Sequence, residues 1–171
     1  MMSISLATNK QLSTTMLVLS HRLVNHSSGD NRLLLCEMAT EVRRRIESGI
    51  WTGFRNMSFS HTTKQVMARE KTVTRRLGWK TLQLGDILMA CDKCQGLKSG
   101  ERIQRIAPIR VIDVFREPLH TVYADSRLAK SEMEREGFPG RHPVEFVEFF
   151  CEAMKCDADT MVTRIEFEYM I

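Results

Sequence analysis

No uninterrupted apolar run in this sequence reaches the roughly eighteen residues that a membrane-spanning helix needs, and Leu17 to Leu19 is too brief for the core of a signal peptide. A cytoplasmic protein with no membrane partner is the expectation. Cysteine is sparse and odd in number, five in 171 residues, which excludes a secreted disulfide framework and predicts reduced thiols. No glycine-rich loop follows a strand, so a Rossmann fold is disfavoured. His61, His120 and His142 stand alone, with no H-x-x-x-H or H-E-x-x-H arrangement, and capping, turns or surface contacts account for them. Cys91-Asp92-Lys93-Cys94 is a C-x-x-C and Cys151 with Cys156 a C-x-x-x-x-C. Four thiolates can hold zinc, but these pairs are far apart in sequence and the second falls in and just after a helix. No strand-to-helix context follows Cys94, which weakens a thioredoxin-like reading. The expectation is no metal and no cofactor.

What is present fits one domain with an appendage: 43% hydrophobic and 27% charged residues over 171 positions. The first 56 residues hold 7 Lys+Arg against 4 Asp+Glu, and the remainder 18 against 17, so the larger part of the chain is nearly neutral. Any nucleic-acid site must therefore be a local patch. One such patch is evident. Lys64, Arg69, Lys71, Arg75, Arg76 and Lys80 lie within seventeen residues, opposed only by Glu70. Inside it, Lys71, Thr74 and Arg76 recur as K-x-x-T-x-R. A lysine with a lowered pKa can take a proton, a threonine hydroxyl can give one up, and an arginine can hold a phosphate or carbonyl.

The octapeptide from Arg69 to Arg76, which holds this pattern, resembles the G-x-K-x-x-T-x-R landmark of the ASCH family, in the PUA-like group, with Arg69 standing at the family's glycine. Leu84-Gly85-Asp86 resembles the family's turn before its second strand, Glu136-Gly137-Phe138 its E-G-F landmark, and Thr163 to Tyr169 its closing strand. The resemblance covers residues 57 to 171. It implies an α+β fold, a small PUA-like β-barrel of about five to six mixed strands with flanking helices. Residues 1 to 56 are then either an extension foreign to the family or an upstream reading ahead of a start at Met57, and a chain begun at Met57 is expected to melt as the full chain does.

The residue patterns agree with a mixed fold. Residues 1 to 30 are rich in Ser, Thr and Asn, show no sustained period, and read as poorly ordered. Residues 33 to 47 read as a helix with Leu34, Cys36, Met38, Val42 and Ile46 as apolar members, stopped by Gly49. Beyond Met57, strands are expected over 58–60, 71–77, 85–90, 103–115 and 161–169, with Pro108 marking a bulge, edge or break. Helices are expected over 62–70, 126–135 and 143–154, the last with Val144, Val147, Phe150 and Cys151 on its apolar face.

The resemblance also implies chemistry. In the family branch that hydrolyses 4-acetylcytidine, the lysine and threonine of K-x-x-T act with a later glutamate, which motif order places at Glu136. Lys71 would accept the hydroxyl proton, Thr74 attack the acyl carbon, and Glu136 pass a proton to the leaving amine. Residues three apart on a regular strand point to opposite faces, so Lys71 and Thr74 converge only if the chain turns between them or the lysine reaches round. Arg75, Arg76 and Trp79 are the candidate ligand contacts, an arginine for phosphate and an indole for stacking, with Lys93 and Lys98 extending a groove that tracks the RNA backbone. Three functions remain open: an amidohydrolase or ribonuclease in one Lys/Thr/Glu cleft, a non-catalytic module binding RNA or a modified nucleoside, and a protein-interaction factor docking through residues 1 to 56.

Overall fold

The computed structural model of the protein describes residues 4, 7–25, 29–48 and 53–170. The chain is α+β. Helices α1 (Asn9–Asn25) and α2 (Gly29–Glu47) precede strand β1 (Arg55–Ser58), short helix α3 (Thr63–Met67), β2 (Val73–Arg76), β3 (Ile87–Cys91) and β4 (Arg105–Pro118). A 3-10 turn (Leu119–Tyr123), α4 (Ser126–Glu136), α5 (Pro143–Met154) and β5 (Met161–Tyr169) complete it. The five strands form one mixed sheet in the order β1-β3-β4-β5-β2. Chain contacts divide the molecule into two compact units: Met1–Thr63, Leu84–Val111 and Glu168–Ile171 in the first, Lys64–Gln83 and Ile112–Phe167 in the second.

In the first unit, β1 runs parallel to β3, pairing Arg55 with Leu88 through Ser58 with Cys91. Strand β3 is buried along its whole length, and it runs antiparallel to β4. Pro108 sits opposite Met89 in the middle of this pairing, and the register slips between Ala90 and Cys91, whose partners are Ala107 and Arg105. Of the bulge, edge or break expected at Pro108, the structure has a shift of register two residues before it.

The reading of residues 1 to 30 as poorly ordered is corrected: Asn9–Asn25 is a helix. Its start is a reciprocal cap, in which Gln11 N donates to Thr8 Oγ1 at 3.2 Å and Thr8 N donates to Gln11 Oε1 at 2.8 Å. Leu12, Met16 and Leu19 recur at four and three residues and are buried. They join Leu35, Met38, Ala39 and Val42 of α2, and Ile87, Met89 and Cys91 of β3, in one apolar core. Ser20 Oγ donates to the Gly85 carbonyl at 2.7 Å, which ties α1 to the turn before β3. Helix α2 begins earlier than expected, and Gly49, expected to stop it, lies outside the described residues. The buried stripe of α2 also differs: Leu35, Ala39 and Val42 face inward with Met38, while Leu34 is exposed.

In the second unit, β2 pairs antiparallel with β5, Val73 opposite Glu166 through Arg76 opposite Thr163. Helix α3 is much shorter than the expected 62–70 because Arg69 adopts φ 61°, the left-handed conformation that ends it. That is the backbone geometry a glycine supplies without strain, and here an arginine adopts it. Helix α4 starts on Asp125, whose side chain accepts from Arg127 N, and stops at Gly137 with φ 85°. Phe138 N then donates to the Met133 carbonyl at 2.9 Å, closing the left-handed C-terminal motif and fixing Glu136 as the last helical residue. On α5 the buried residues are Phe146, Val147 and Phe150, whereas Val144, expected inside, is 41% exposed. The inward stripe is set by contact with Leu119, Val122, Met133 and Val162, which no local period reveals.

Candidate functional site

Strand β2 arranges the octapeptide by simple alternation. Arg75 and Arg76 leave the strand on opposite faces, and the Arg76 side chain returns to its own-face neighbour, its Nε donating to Thr74 Oγ1 at 3.2 Å. The short connection between Arg69 and Val73 brings Lys71 to the C-terminus of α4. There Lys71 Nζ donates to the Glu136 carbonyl oxygen and lies 3.6 Å from Glu136 Oε1. A cation is well placed at that end of a helix, where carbonyl groups lack intrahelical partners. Phe138 contributes a ring face 6.0 Å from the same amine. Thr72 links the two elements again, its N–H donating to the Arg135 carbonyl at 2.9 Å.

Lys71 and Glu136 are 2% and 3% exposed, so the pair sits almost wholly out of water. Burial pushes the Lys71 pKa down to about 8; Glu136 opposes the fall, while the Arg76 and Arg75 charges add to it. A lysine poised there is able to shed its proton near neutral pH, which an exposed lysine is not.

Arg75, expected at a ligand, is turned into the protein. Its backbone N–H donates to Glu136 Oε1 at 2.9 Å, and its guanidinium donates to Glu117 Oε1 (2.9 Å), Glu132 Oε2 (2.8 Å) and Glu136 Oε2 (3.4 Å). Arg164 lies directly across the β2–β5 ladder from Arg75, a juxtaposition of like charges that would by itself be unfavourable. Glu132 resolves it by receiving both arginines, with Arg164 Nη2 at 2.7 Å from Oε1 and Nε at 3.1 Å from Oε2. Burial raises the Glu132 pKa, but hydrogen bonds from Arg164 and Arg75 outweigh it and hold the carboxyl at about 2. Arg135 and Glu166 continue the network on its more exposed side.

The sequence-based candidates thus fall into separate groups. Lys71, Arg75 and Glu136 are joined through one carboxylate, and Thr74 is joined to Arg76. Trp79 is half-buried in the turn after β2, with φ 65°. Lys93 and Lys98 belong to the first unit, where Lys93 Nζ lies 3.5 Å from Glu101 Oε2 and Lys98 N donates to the same carboxylate oxygen at 2.8 Å. Glu117, Glu132 and Arg164 were missed. Glu132 stands four residues before Glu136 and therefore shares its helix face, which is the one signal that could have found it.

Among the described residues, no three His, Cys, Asp or Glu side chains gather as metal ligands would, and no helix is long and apolar enough to cross a membrane. All five cysteines are free thiols; Cys91 and Cys94 lie in the first unit, Cys151 and Cys156 in the second.

The lowered Lys71 pKa has a consequence for stability. Between about 8 and the ordinary lysine value of 10.5, the unfolded chain binds a proton that the folded chain has lost, so stability rises with pH across that window. Cys91 acts in the opposite sense at the alkaline end, since burial pushes its thiol up to about 12. Comparison with Lys71→Met isolates the lysine. Wild type should gain on the variant by about 3 kcal/mol in urea melts as pH is raised from 8 to 10.5. A constant difference over that range would show that the amine titrates normally.

No protein-family model matches the chain, and no curated protein does. Among solved structures, the ASCH domain from Lactobacillus crispatus JV V101 is similar at 15% identity, covering 79% of this chain and 93% of that one, with a TM-score of 0.49. The hypothetical protein PH0355 is similar at 16% identity, covering 67% of this chain and 95% of that one, with a TM-score of 0.44.

Proposed function

We propose that the second unit binds a nucleoside carrying an acyl amide, such as an acylated cytidine free or within RNA, and hydrolyses that amide with Lys71, Thr74 and Glu136. The observation carrying this reading is the Lys71 amine, buried, lowered to a pKa of about 8 and held against Glu136 at 3.6 Å. A neutral lysine is a base able to take the Thr74 proton as the hydroxyl oxygen attacks the acyl carbon. Because Thr74 Oγ1 accepts from Arg76 Nε, its own hydrogen remains available to donate. The proton then passes by way of the Glu136 carboxylate to the amine nitrogen as the carbon–nitrogen bond breaks, and water releases the acyl group from Thr74. Arg76, beside the hydroxyl, supplies positive charge for the acyl carbonyl oxygen, on which oxyanion charge develops as Thr74 attacks. Arg75 is a positioning residue, since its backbone and guanidinium both fix Glu136.

The test is acetate release from 4-acetylcytidine by the full chain. Wild-type turnover should rise with pH to a plateau with an apparent pKa of about 8, because the active lysine is the deprotonated one. Lys71→Ala and Thr74→Ala should each lower kcat by about 100-fold or more, and Thr74→Ser should retain part of it. Absence of turnover by wild-type protein would end the hydrolase reading.

A second reading has its own support. Thr74 is only 3% exposed, beneath Arg76, which suits a strand residue better than an accessible nucleophile. On that reading the unit binds RNA without chemistry, with Arg76 on phosphate and Trp79 on a base. Tight RNA binding by wild-type protein without acetate release would favour it.

A further inference from the structure

A cavity of about 530 Å³ lies in the second unit, against α4 and the turn that leads into α5. Its volume falls within the range of small-molecule sites, and neither Lys71, Thr74 nor Glu136 lines it. Three of its lining residues carry donors suited to an anion: Lys130, Arg141 and His142. None of the described lining residues is acidic. Arg141 is held in place by two rings, its guanidinium carbon 5.1 Å from the Phe138 centroid and 5.0 Å from that of Phe149. His142 Nδ1 accepts from Val144 N at 3.3 Å, which assigns the ring proton to Nε2 and leaves that nitrogen as a donor. The rest of the wall is apolar or aromatic, with Met133, Pro143 and the exposed ring of Tyr123. Inorganic phosphate would satisfy the donors and leave most of this space empty.

We infer that this cavity binds a nucleoside monophosphate, its phosphate on Lys130, Arg141 and His142 and its base against Tyr123 and Pro143. Charge-assisted donors of this kind recognise a phosphate strongly, and a ring face in an apolar wall adds stacking. The site is independent of the hydrolytic cluster, although α4 carries residues of both, Lys130 and Met133 here and Glu136 there.

Isothermal titration of the full chain with AMP, adenosine and inorganic phosphate tests this. AMP should bind saturably, and adenosine and phosphate each at least about tenfold more weakly. Rising salt should weaken AMP and leave adenosine nearly unchanged. Lys130→Gln, an exposed helix position, should lower AMP affinity by about tenfold with the thermal melt unchanged, and Arg141→Gln should do at least as much. Glu136→Gln, which disables the proposed hydrolysis, should bind AMP as wild type does. Adenosine binding as tightly as AMP, or AMP affinity unmoved by both cation substitutions, would overturn the assignment. So would loss of AMP binding in Glu136→Gln with none in Lys130→Gln, which would place the nucleotide at the other cluster.

Discussion

A chain begun at Met57 is expected to lose its first unit and not to melt as the full chain does. Helices α1 and α2 supply Leu12, Met16, Leu19, Leu35, Met38 and Val42 to the core that covers Ile87, Met89 and Cys91. Each such side chain contributes about 1.5–3 kcal/mol by leaving water, against a total stability of about 5–15 kcal/mol for a domain of this kind. Ordering two helices offsets part of that gain, but truncation also leaves β3 with an uncovered apolar face. The measurement is circular dichroism and urea unfolding of the 57–171 fragment beside the full chain. Aggregation, or a midpoint lowered by more than half, is the expected result. An unchanged midpoint would restore the view of residues 1–56 as a mere extension.

The elements differ in how plainly the sequence announces them. Helix α5 and strand β5 were legible from end to end, because Pro143 opens one and alternation marks the other. Helix α1 was not, since its many Ser, Thr and Asn residues dilute the composition. Its signals were nonetheless present in Thr8-x-x-Gln11 and in the spacing of Leu12, Met16 and Leu19. The joining of Lys71 to Glu136 was legible through the K-x-x-T and E-G-F motifs. The fate of Arg75 was not. Two consecutive strand residues cannot face one ligand, so grouping Arg75 with Arg76 conflicted with strand alternation from the outset. Its partners Glu117, Glu132 and Glu136 come from two other elements, and charged residues scattered through a sequence are by default read as solvated.

Arg75→Met should be the most damaging single substitution in the second unit, lowering stability by about 3–5 kcal/mol. Methionine fills much of the volume, so the loss reports charge and not packing. Without the guanidinium, Glu117 loses its 2.9 Å partner, Glu132 keeps Arg164, and Glu136 keeps Lys71. The buried Glu117 and Glu136 and the half-buried Glu132 then share less positive charge than they need. Arg75→Lys should recover only part of the loss, because a single ammonium cannot present the fork that reaches three separate carboxylates. The pH dependence provides a check on mechanism. Glu132 titrates at about 2 in the folded protein against 4.5 ordinarily, so its stabilising effect is complete above 4.5 and disappears as pH falls toward 2. Removing Arg75 removes part of what lowers that pKa, and the gap between wild type and variant should therefore narrow as the solution is acidified through that window. Pairing Arg75→Met with Glu117→Gln should also return some stability, since it neutralises the carboxylate left without its arginine. A gap that stays constant with pH, or a double variant no better than the single one, would mean that Arg75 acts through shape alone.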